Sequence, residues 1–130
     1  MVGIVIVSHS QKLAEGVAEV AQMMAANAPV AAAGGLDGGE LGTSYEKIFH
    51  AVESVATADG AVILMDMGSA VMTTEMVLED LARDDVVMLD CPLVEGAVIA
   101  AIESAGGRNL SEIISRVEES RTAKKISCPD

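Results

Sequence analysis

One histidine of this chain stands where covalent chemistry is expected. His9 follows a continuous apolar run over residues 2–7 and is flanked by the hydroxyls of Ser8 and Ser10. An imidazole attacks through one nitrogen only when that nitrogen is unprotonated, so a carboxylate bonded to the other nitrogen would fix the reactive tautomer. We interpret His9 as a nucleophile. The only other histidine, His50, falls within a predicted helix and is interpreted as structural.

Asp66 is the carboxylate that suits this role, because it follows the third predicted strand, which is buried and covers residues 61–65. If the strand order is 2-1-3-4, strands 1 and 3 are neighbours at the switch point of the sheet, where ligands collect. His9 and Asp66 would then face each other. The nearby hydroxyls and helix-start amides would suit a bound oxyanion, including those of Gly68-Ser69, which opens a helix. This combination predicts phosphorylation of His9 rather than hydrolysis.

Strand and helix signals alternate, which predicts an α/β fold with an open, mainly parallel, four-stranded sheet and helices on both faces. The apolar runs predict strands at 2–7, 30–33, 61–65 and 86–89. Helices are predicted over 10–28, from a capping box at Thr43 and Glu46, over 68–82, from Pro92 through Ile102, and from a capping box at Asn109 and Glu112. The helix after Pro92 is apolar nearly all round and is expected to be packed on both sides. The inward side chains predicted for the first two helices are Leu13, Val17, Ala21 and Met24, then Ile48, Phe49, Val52 and Val55.

Length and charge narrow the classes of function. A chain of 130 residues suits one domain, residues 1–130, and its polar tail from residue 122 is expected to be loose. A net charge of -12 argues against nucleic acid and against an anionic membrane surface. No signal peptide is predicted, and the longest uncharged stretch is broken at Pro29 and Gly34-Gly35. We therefore expect a cytoplasmic protein.

Several alternative sites are poorly supported by the motifs. The glycine loop over residues 34–42 has neither a following Gly-Lys-Ser/Thr nor a G-x-G-x-x-G register, which argues against ATP hydrolysis and dinucleotide binding. A receiver domain needs an acidic pair after strand 1, where this chain has Ser8-His9. Cys91 and Cys128 lack zinc-site spacing and ligands do not cluster elsewhere, so we predict no metal site. A disulfide between them is formally possible, but the fold class is mostly intracellular and Cys91 stands at a predicted strand end, so we predict two free thiols.

Four segments together resemble the phosphotransferase subunits of phosphoenolpyruvate-dependent dihydroxyacetone kinases, a family with the fold of mannose-type enzyme IIA. The resemblance runs from the first strand to Gly107. The four segments are Gly3-Ile4-Val5-Ile6-Val7-Ser8-His9-Ser10, the loop from Gly34-Gly35 through Asp37-Gly38 to Gly42-Thr43-Ser44, Leu64-Met65-Asp66-Met67-Gly68-Ser69-Ala70, and Cys91-Pro92-Leu93-Val94-Glu95-Gly96-Ala97.

The resemblance implies a phosphoryl carrier. His9 would receive the group on Nε2 from the histidine-containing phosphocarrier protein and pass it to ADP held by the nucleotide-binding kinase subunit, while a third subunit binds dihydroxyacetone. Asp66 would orient His9. ADP and ATP would belong to the partner, so no cofactor is implied for this chain, and the family forms homodimers. The residues implied to line the phosphoryl site are Ser10, Thr43, Gly68 and Ser69.

Two other hypotheses stay open. A mannose-type enzyme IIA that hands phosphate to a sugar-transporter enzyme IIB would use the same histidine, although Asp37-Gly38 and residues 91–96 favour the kinase system. A non-catalytic α/β binding module would never carry phosphate on His9.

Overall fold

The chain folds into alternating strands and helices, and the computed structural model describes residues 1–127. The sheet order is β2-β1-β3-β4 with all pairs parallel, which confirms the predicted topology. Cys128 lies outside the described residues. The elements are β1 Gly3–Ser8, α1 Gln11–Met24, β2 Val30–Gly34, α2 Tyr45–Val55, β3 Ala61–Met65, α3 Gly68–Leu81, β4 Val86–Leu89, α4 Leu93–Ala105, α5 Leu110–Glu118 and a 3-10 turn Glu119–Arg121.

The central strand β1 is buried at every position, so both of its faces contribute to the core. Ile4 and Ile6 pack with α1, α4 and α5 on one side, whereas Val5 and Val7 pack with α2 and α3 on the other. Burying each such side chain stabilises the fold by about 1.5–3 kcal/mol. This explains why the first strand has a continuous rather than an alternating apolar pattern.

The register places three chain segments side by side at the carboxyl ends of the strands. Ser8 pairs with Gly34, and Val7 pairs with Met65. The residues that follow β1, β2 and β3 therefore leave the sheet side by side. This is the switch point at which the sequence predicted a site.

Helix α1 differs from its prediction in its length and in which of its sides is buried. It ends at Met24, and Ala25 already has a non-helical backbone, so the expected extent to residue 28 is wrong. The residue before Pro29 is disfavoured in the helical region, and the chain needs a turn there to enter β2. The buried face consists of Ala14, Val17, Ala18 and Ala21.

The expected inward positions of Leu13 and Met24 are also wrong, because these side chains are 45% and 54% exposed. Helix α1 packs closely against β2 and α4 through small alanines. The larger side chains are displaced to the outer side of the helix.

Two further helix predictions need correction. Helix α2 is capped by Ser44, whose Oγ accepts from the Lys47 amide at 3.2 Å, so no capping box forms at Thr43. Helix α4 is buried along one side only, since Val94 and Ile102 are 45% and 43% exposed. The capping box at the start of α5 is confirmed. Within residues 1–127, no helix combines the length and the apolar character needed to cross a membrane.

Candidate active site

His9 and Asp66 meet at the edge of the sheet, as their placement after β1 and β3 predicted. His9 Nδ1 lies 3.0 Å from Asp66 Oδ1. The His9 side chain is 25% exposed and that of Asp66 is 11% exposed, so the pair is partly shielded but open to a reactant.

Asp66 accepts four hydrogen bonds, two on each oxygen. Oδ1 faces the His9 ring and accepts from the Met67 amide at 2.8 Å, and Oδ2 accepts from the Ser8 hydroxyl and the His9 amide, both at 2.9 Å. Burial alone would raise the pKa of Asp66. The bonds from the His9 amide, the Ser8 hydroxyl, the His9 ring and the Met67 amide outweigh burial and hold that pKa below its usual value. Asp66 is therefore an ionised acceptor at neutral pH.

The ionised Asp66 sets the tautomer of His9. A carboxylate has no proton to donate, so Nδ1 carries the ring proton, and the lone pair of the neutral imidazole lies on Nε2. Nε2 is 2.5 Å from Ser69 Oγ, which donates to it in this tautomer. Ser69 is the second residue of α3 and is exposed. The arrangement places the lone pair of Nε2 at the mouth of the site, next to Ser69.

The glycine loop is fastened to the end of β1. The Gly35 amide donates to the Ser8 carbonyl at 3.1 Å, and the Gly42 amide donates to the His9 carbonyl at 2.8 Å. Lys47 Nζ holds the loop from the α2 side, because it donates to the carbonyls of Gly34 and Leu36, each at 3.1 Å. The loop therefore contributes main-chain support to His9.

Of the other predicted site residues, Ser69 is the one whose side chain lies within hydrogen-bond distance of the His9 ring. Ser10 caps α1, with Oγ accepting from the Leu13 amide at 3.2 Å, and Gly68 is the first residue of α3. Thr43 Oγ1 lies 3.1 Å from Thr73 Oγ1, one turn beyond Ser69 on α3. His50 lies elsewhere, with a 75% exposed side chain near Glu53.

The sequence reasoning missed two positioning residues. Ser8 is fully buried, and its hydroxyl accepts from the Ser10 amide at 3.0 Å while it donates to Asp66. Thr73 connects α3 to Thr43. The signal for Ser8 was a hydroxyl in a strand otherwise made of glycine and aliphatic residues, because a buried hydroxyl needs a polar partner.

Cys91 lines a cleft of about 410 Å³ beside Asp66, together with Met65, Met67 and Met88. The cysteine is a free thiol. Burial first, and then the charges of Asp90 and Glu118, raise the pKa of Cys91 to about 11, against a smaller opposing effect of Arg121. Cys91 is thus a protonated and weakly nucleophilic thiol at neutral pH. In the described part of the chain, no group of three or more His, Cys, Asp or Glu side chains could hold a metal ion.

Fold and site together define a class, an open parallel α/β protein with a carboxylate-oriented histidine at its switch point. Residues 3–115 match the family model described as the PTS system fructose IIA component, and the chain belongs to this EIIA-man family.

Curated relatives support the assignment. The chain is 39% identical over 132 residues to a protein of Escherichia coli strain K12 named PEP-dependent dihydroxyacetone kinase, phosphoryl donor subunit DhaM, covering 96% of this chain. It spans only 28% of that relative's length. A PTS-dependent dihydroxyacetone kinase, phosphotransferase subunit DhaM, of Lactococcus lactis subsp. lactis is 35% identical over 117 residues, covering 90% of this chain and 94% of the relative.

Solved structures support the fold. A crystal structure titled as the unknown function protein EF1359 superposes with a TM-score of 0.81 at 27% identity, covering 96% of this chain and 98% of the other. The mannose/sorbose specific IIA subunit of the phosphotransferase system from Enterococcus faecalis gives a TM-score of 0.65 at 18% identity, with 99% and 97% covered. The second likeness concerns the fold alone and confirms the predicted mannose-type enzyme IIA architecture.

Proposed function

We propose that this protein is a phosphoryl carrier of a dihydroxyacetone kinase system, with the phosphoryl group carried on Nε2 of His9. The names of the relatives in Escherichia coli and Lactococcus lactis support the kinase system. The observation that carries the proposal is the set of four hydrogen bonds to Asp66, which puts the ring proton on Nδ1 and the lone pair on Nε2.

Bonds and charges balance in both transfer steps, and His9 neither gains nor loses a proton. In the first step, Nε2 attacks the phosphorus of the donor, a new P–N bond forms, and the P–N bond to the donor imidazole breaks. The His9 ring then has substituents on both nitrogens and a positive charge, which Asp66 stabilises. In the second step, a terminal phosphate oxygen of ADP attacks, the P–N bond breaks, and His9 returns to the neutral Nδ1–H form.

The phosphoryl oxygens would be bound by neutral donors. Met67 provides no side-chain cap for α3, which leaves the first amides of that helix, at Gly68 and Ser69, for an anion. The Ser69 hydroxyl, which donates to Nε2 in the free protein, would turn to an oxygen of the bound group. Ser10 and Thr43 are proposed to complete the site. Donors without full charges favour a phosphoryl group that can be passed on.

Both partners must reach the same nitrogen, so we propose that they share one docking surface. Helix α3 has an exposed stripe that begins at Ser69 and continues with Met72 and Met76, which are 68% and 57% exposed. Met67 is 62% exposed beside it. Exposed methionines adapt to more than one partner.

The proposed donor is the histidine-containing phosphocarrier protein, and the proposed acceptor is ADP on the nucleotide-binding kinase subunit, which works with the dihydroxyacetone-binding subunit. We propose no cofactor for this chain itself, and we propose that it acts as a homodimer.

The test is intact-mass spectrometry after incubation with phosphoenolpyruvate, enzyme I and the phosphocarrier protein. Wild type should gain one acid-labile phosphoryl group and lose it when the kinase subunits, ADP and dihydroxyacetone are added. His9→Ala should gain none, whereas His50→Ala, at an exposed histidine far from the site in sequence, should behave as wild type.

The remaining outcomes contradict the proposal in different ways. A phosphoryl group that persists in the presence of the kinase subunits would favour the enzyme IIA alternative, in which a sugar-transporter enzyme IIB is the acceptor. No gain of mass in wild type would favour a binding module. Phosphorylation of His9→Ala would exclude His9 as the carrier residue.

A further inference from the structure

The sheet has an open edge at β2, which pairs with β1 on one side only. The amide of Ile4 donates to the carbonyl of Pro29 at 2.9 Å. In a parallel pair, every second residue of a strand bonds the same neighbour. The register therefore directs the main-chain groups of Val30, Ala32 and Gly34 away from β1, toward the outside of the sheet.

A groove of about 550 Å³ lies against this edge, and we call it the β2 groove. It is lined by Ala31, Ala32 and Gly34 of the strand and by residues of α1 and α2, which pack on opposite faces of the sheet. Natural edge strands are commonly protected by a charged residue, a proline or a bulge. Residues 30–34 contain neither a charged residue nor a proline. The edge is thus open to hydrogen bonding with another extended segment.

The side chains of β2 leave room for such a segment. Ala31 packs against the core on the α2 side and Ala32 packs against the core on the α1 side, and each ends at a methyl group. The side chains of an added strand would alternate between the same two faces. Longer side chains of a partner can therefore lie beside β2 on both faces.

The charges that line the β2 groove indicate the chemistry of the partner. The carboxylates of Glu15, Asp37 and Glu46 line it. None of the ion pairs among residues 1–127 involves any of the three. Lys47 also lines the groove, but its ammonium group donates to two carbonyls of the glycine loop. His50 lies 3.7 Å from a carboxylate of its own helix. The groove therefore has unpaired negative charge.

We propose that the β2 groove binds an extended basic segment of a partner protein, which adds to the sheet as a fifth strand beside β2. Main-chain hydrogen bonds would supply affinity, and the carboxylates on the two sides would select lysine or arginine at alternate positions. Ser69, next to Nε2 of His9, belongs to α3, which follows β3 on the other side of β1. A segment in the β2 groove would leave Nε2 accessible. The inference goes beyond the proposed function and does not depend on phosphoryl transfer.

The first test is fluorescence anisotropy of the full chain with a labelled peptide of alternating lysine and valine, at about 0.15 M salt to screen non-specific attraction. The same peptide with every second amide N-methylated keeps its charge but loses donors to the strand edge. It should bind about tenfold more weakly. A peptide with glutamate in place of each lysine should not bind.

The second test changes the protein. Glu15→Gln combined with Glu46→Gln should raise the dissociation constant of the lysine–valine peptide about fivefold, because two ion pairs are lost. Glu75→Gln combined with Glu79→Gln is the matched control, since it makes the same change in net charge at exposed positions of α3 and should have no effect. Ala32→Pro removes an outward amide, which an edge strand tolerates, and should weaken binding while circular dichroism shows an intact fold.

Amide hydrogen exchange locates the bound peptide. At a peptide concentration about ten times the dissociation constant, exchange at Ala32 should slow about tenfold, because this amide gains a partner. The proposal is overturned if the peptide does not bind, if its N-methylated form binds equally well, or if the α3 control weakens binding as much as the groove variant. Slow exchange at Ala32 without peptide would also overturn it, since the edge would then already be covered.

Discussion

The exchange of Asp66 for asparagine tests the proposed mechanism most directly, since it keeps the shape of the side chain and removes its charge. An amide has one acceptor oxygen, whereas Asp66 accepts on both oxygens. If the amide oxygen replaces Oδ1, the new NH2 group opposes the His9 amide. If it replaces Oδ2, the NH2 group opposes the Met67 amide and the Nδ1 proton of His9.

Each orientation has a calculable cost. Both leave one main-chain amide without an acceptor, which destabilises the fold by about 1–3 kcal/mol. The second orientation also favours the proton on Nε2 of His9, which removes the nucleophile. Carboxylate-to-amide exchange beside a catalytic histidine lowers kcat by about 10⁴ through such a tautomer error. We therefore expect phosphorylation of Asp66→Asn to be slower by about 10²–10⁴, because the first orientation keeps part of the function.

The assay is a time course of phosphoryl uptake by intact mass, combined with nitrogen NMR of labelled histidine to identify the protonated ring nitrogen. Asp90→Asn is the matched control, since Asp90 follows the adjacent strand β4 and its side chain is 86% exposed. Uptake at the wild-type rate in Asp66→Asn would refute the reasoning. An unchanged rate with an altered tautomer would show that the tautomer does not limit attack.

Three further predictions follow from the site and its surroundings. Met72→Ala should lower kcat/KM for the protein donor about tenfold, while Met23→Ala, a similarly exposed methionine on α1, should not, as read from initial rates of uptake. The pKa of Asp66 is lower in the folded protein than in the unfolded chain, so ionised Asp66 stabilises the fold. This contribution is complete above about pH 4 and is lost as the pH falls through the lowered pKa. Acid unfolding of Asp66→Asn should lack this loss of stability. A pH dependence of unfolding identical to that of wild type would contradict the prediction. In a Cys128→Ser background, Cys91, with its pKa raised to about 11, should react with iodoacetamide at pH 8 about 100-fold more slowly than an ordinary thiol, and rapid labelling would contradict the burial argument.

The sheet and the central pair could be predicted because their causes are local and strong. Four continuous apolar runs identified the strands, and parallel strands bring the ends of β1 and β3 to one edge. His9 stood two residues beyond its run and Asp66 one residue beyond its own, so their contact followed once strands 1 and 3 were taken as neighbours.

The buried side of α1 could not be predicted, because it depends on how close α1 lies to β2 and α4 rather than on hydropathy. Leu13 is more apolar than Ala14, yet Ala14 is buried and Leu13 is 45% exposed. The close contacts of α1 with β2 and α4 select the smaller side chain, and the sequence does not state those distances. The same applies to the cap of α2, where Thr43 and Ser44 are chemically equivalent and tertiary contact with Thr73 separates them.

The double attachment of His9 to Asp66, through its main-chain amide and through its ring, has a kinetic meaning. A residue held through both its main-chain amide and its ring keeps the ring in one position. In the proposed function, each partner would therefore have to bring its phosphorus atom or its acceptor oxygen to a stationary nitrogen. Turnover of the whole relay would then depend on partner concentration and exchange, and hardly at all on internal motion of this chain.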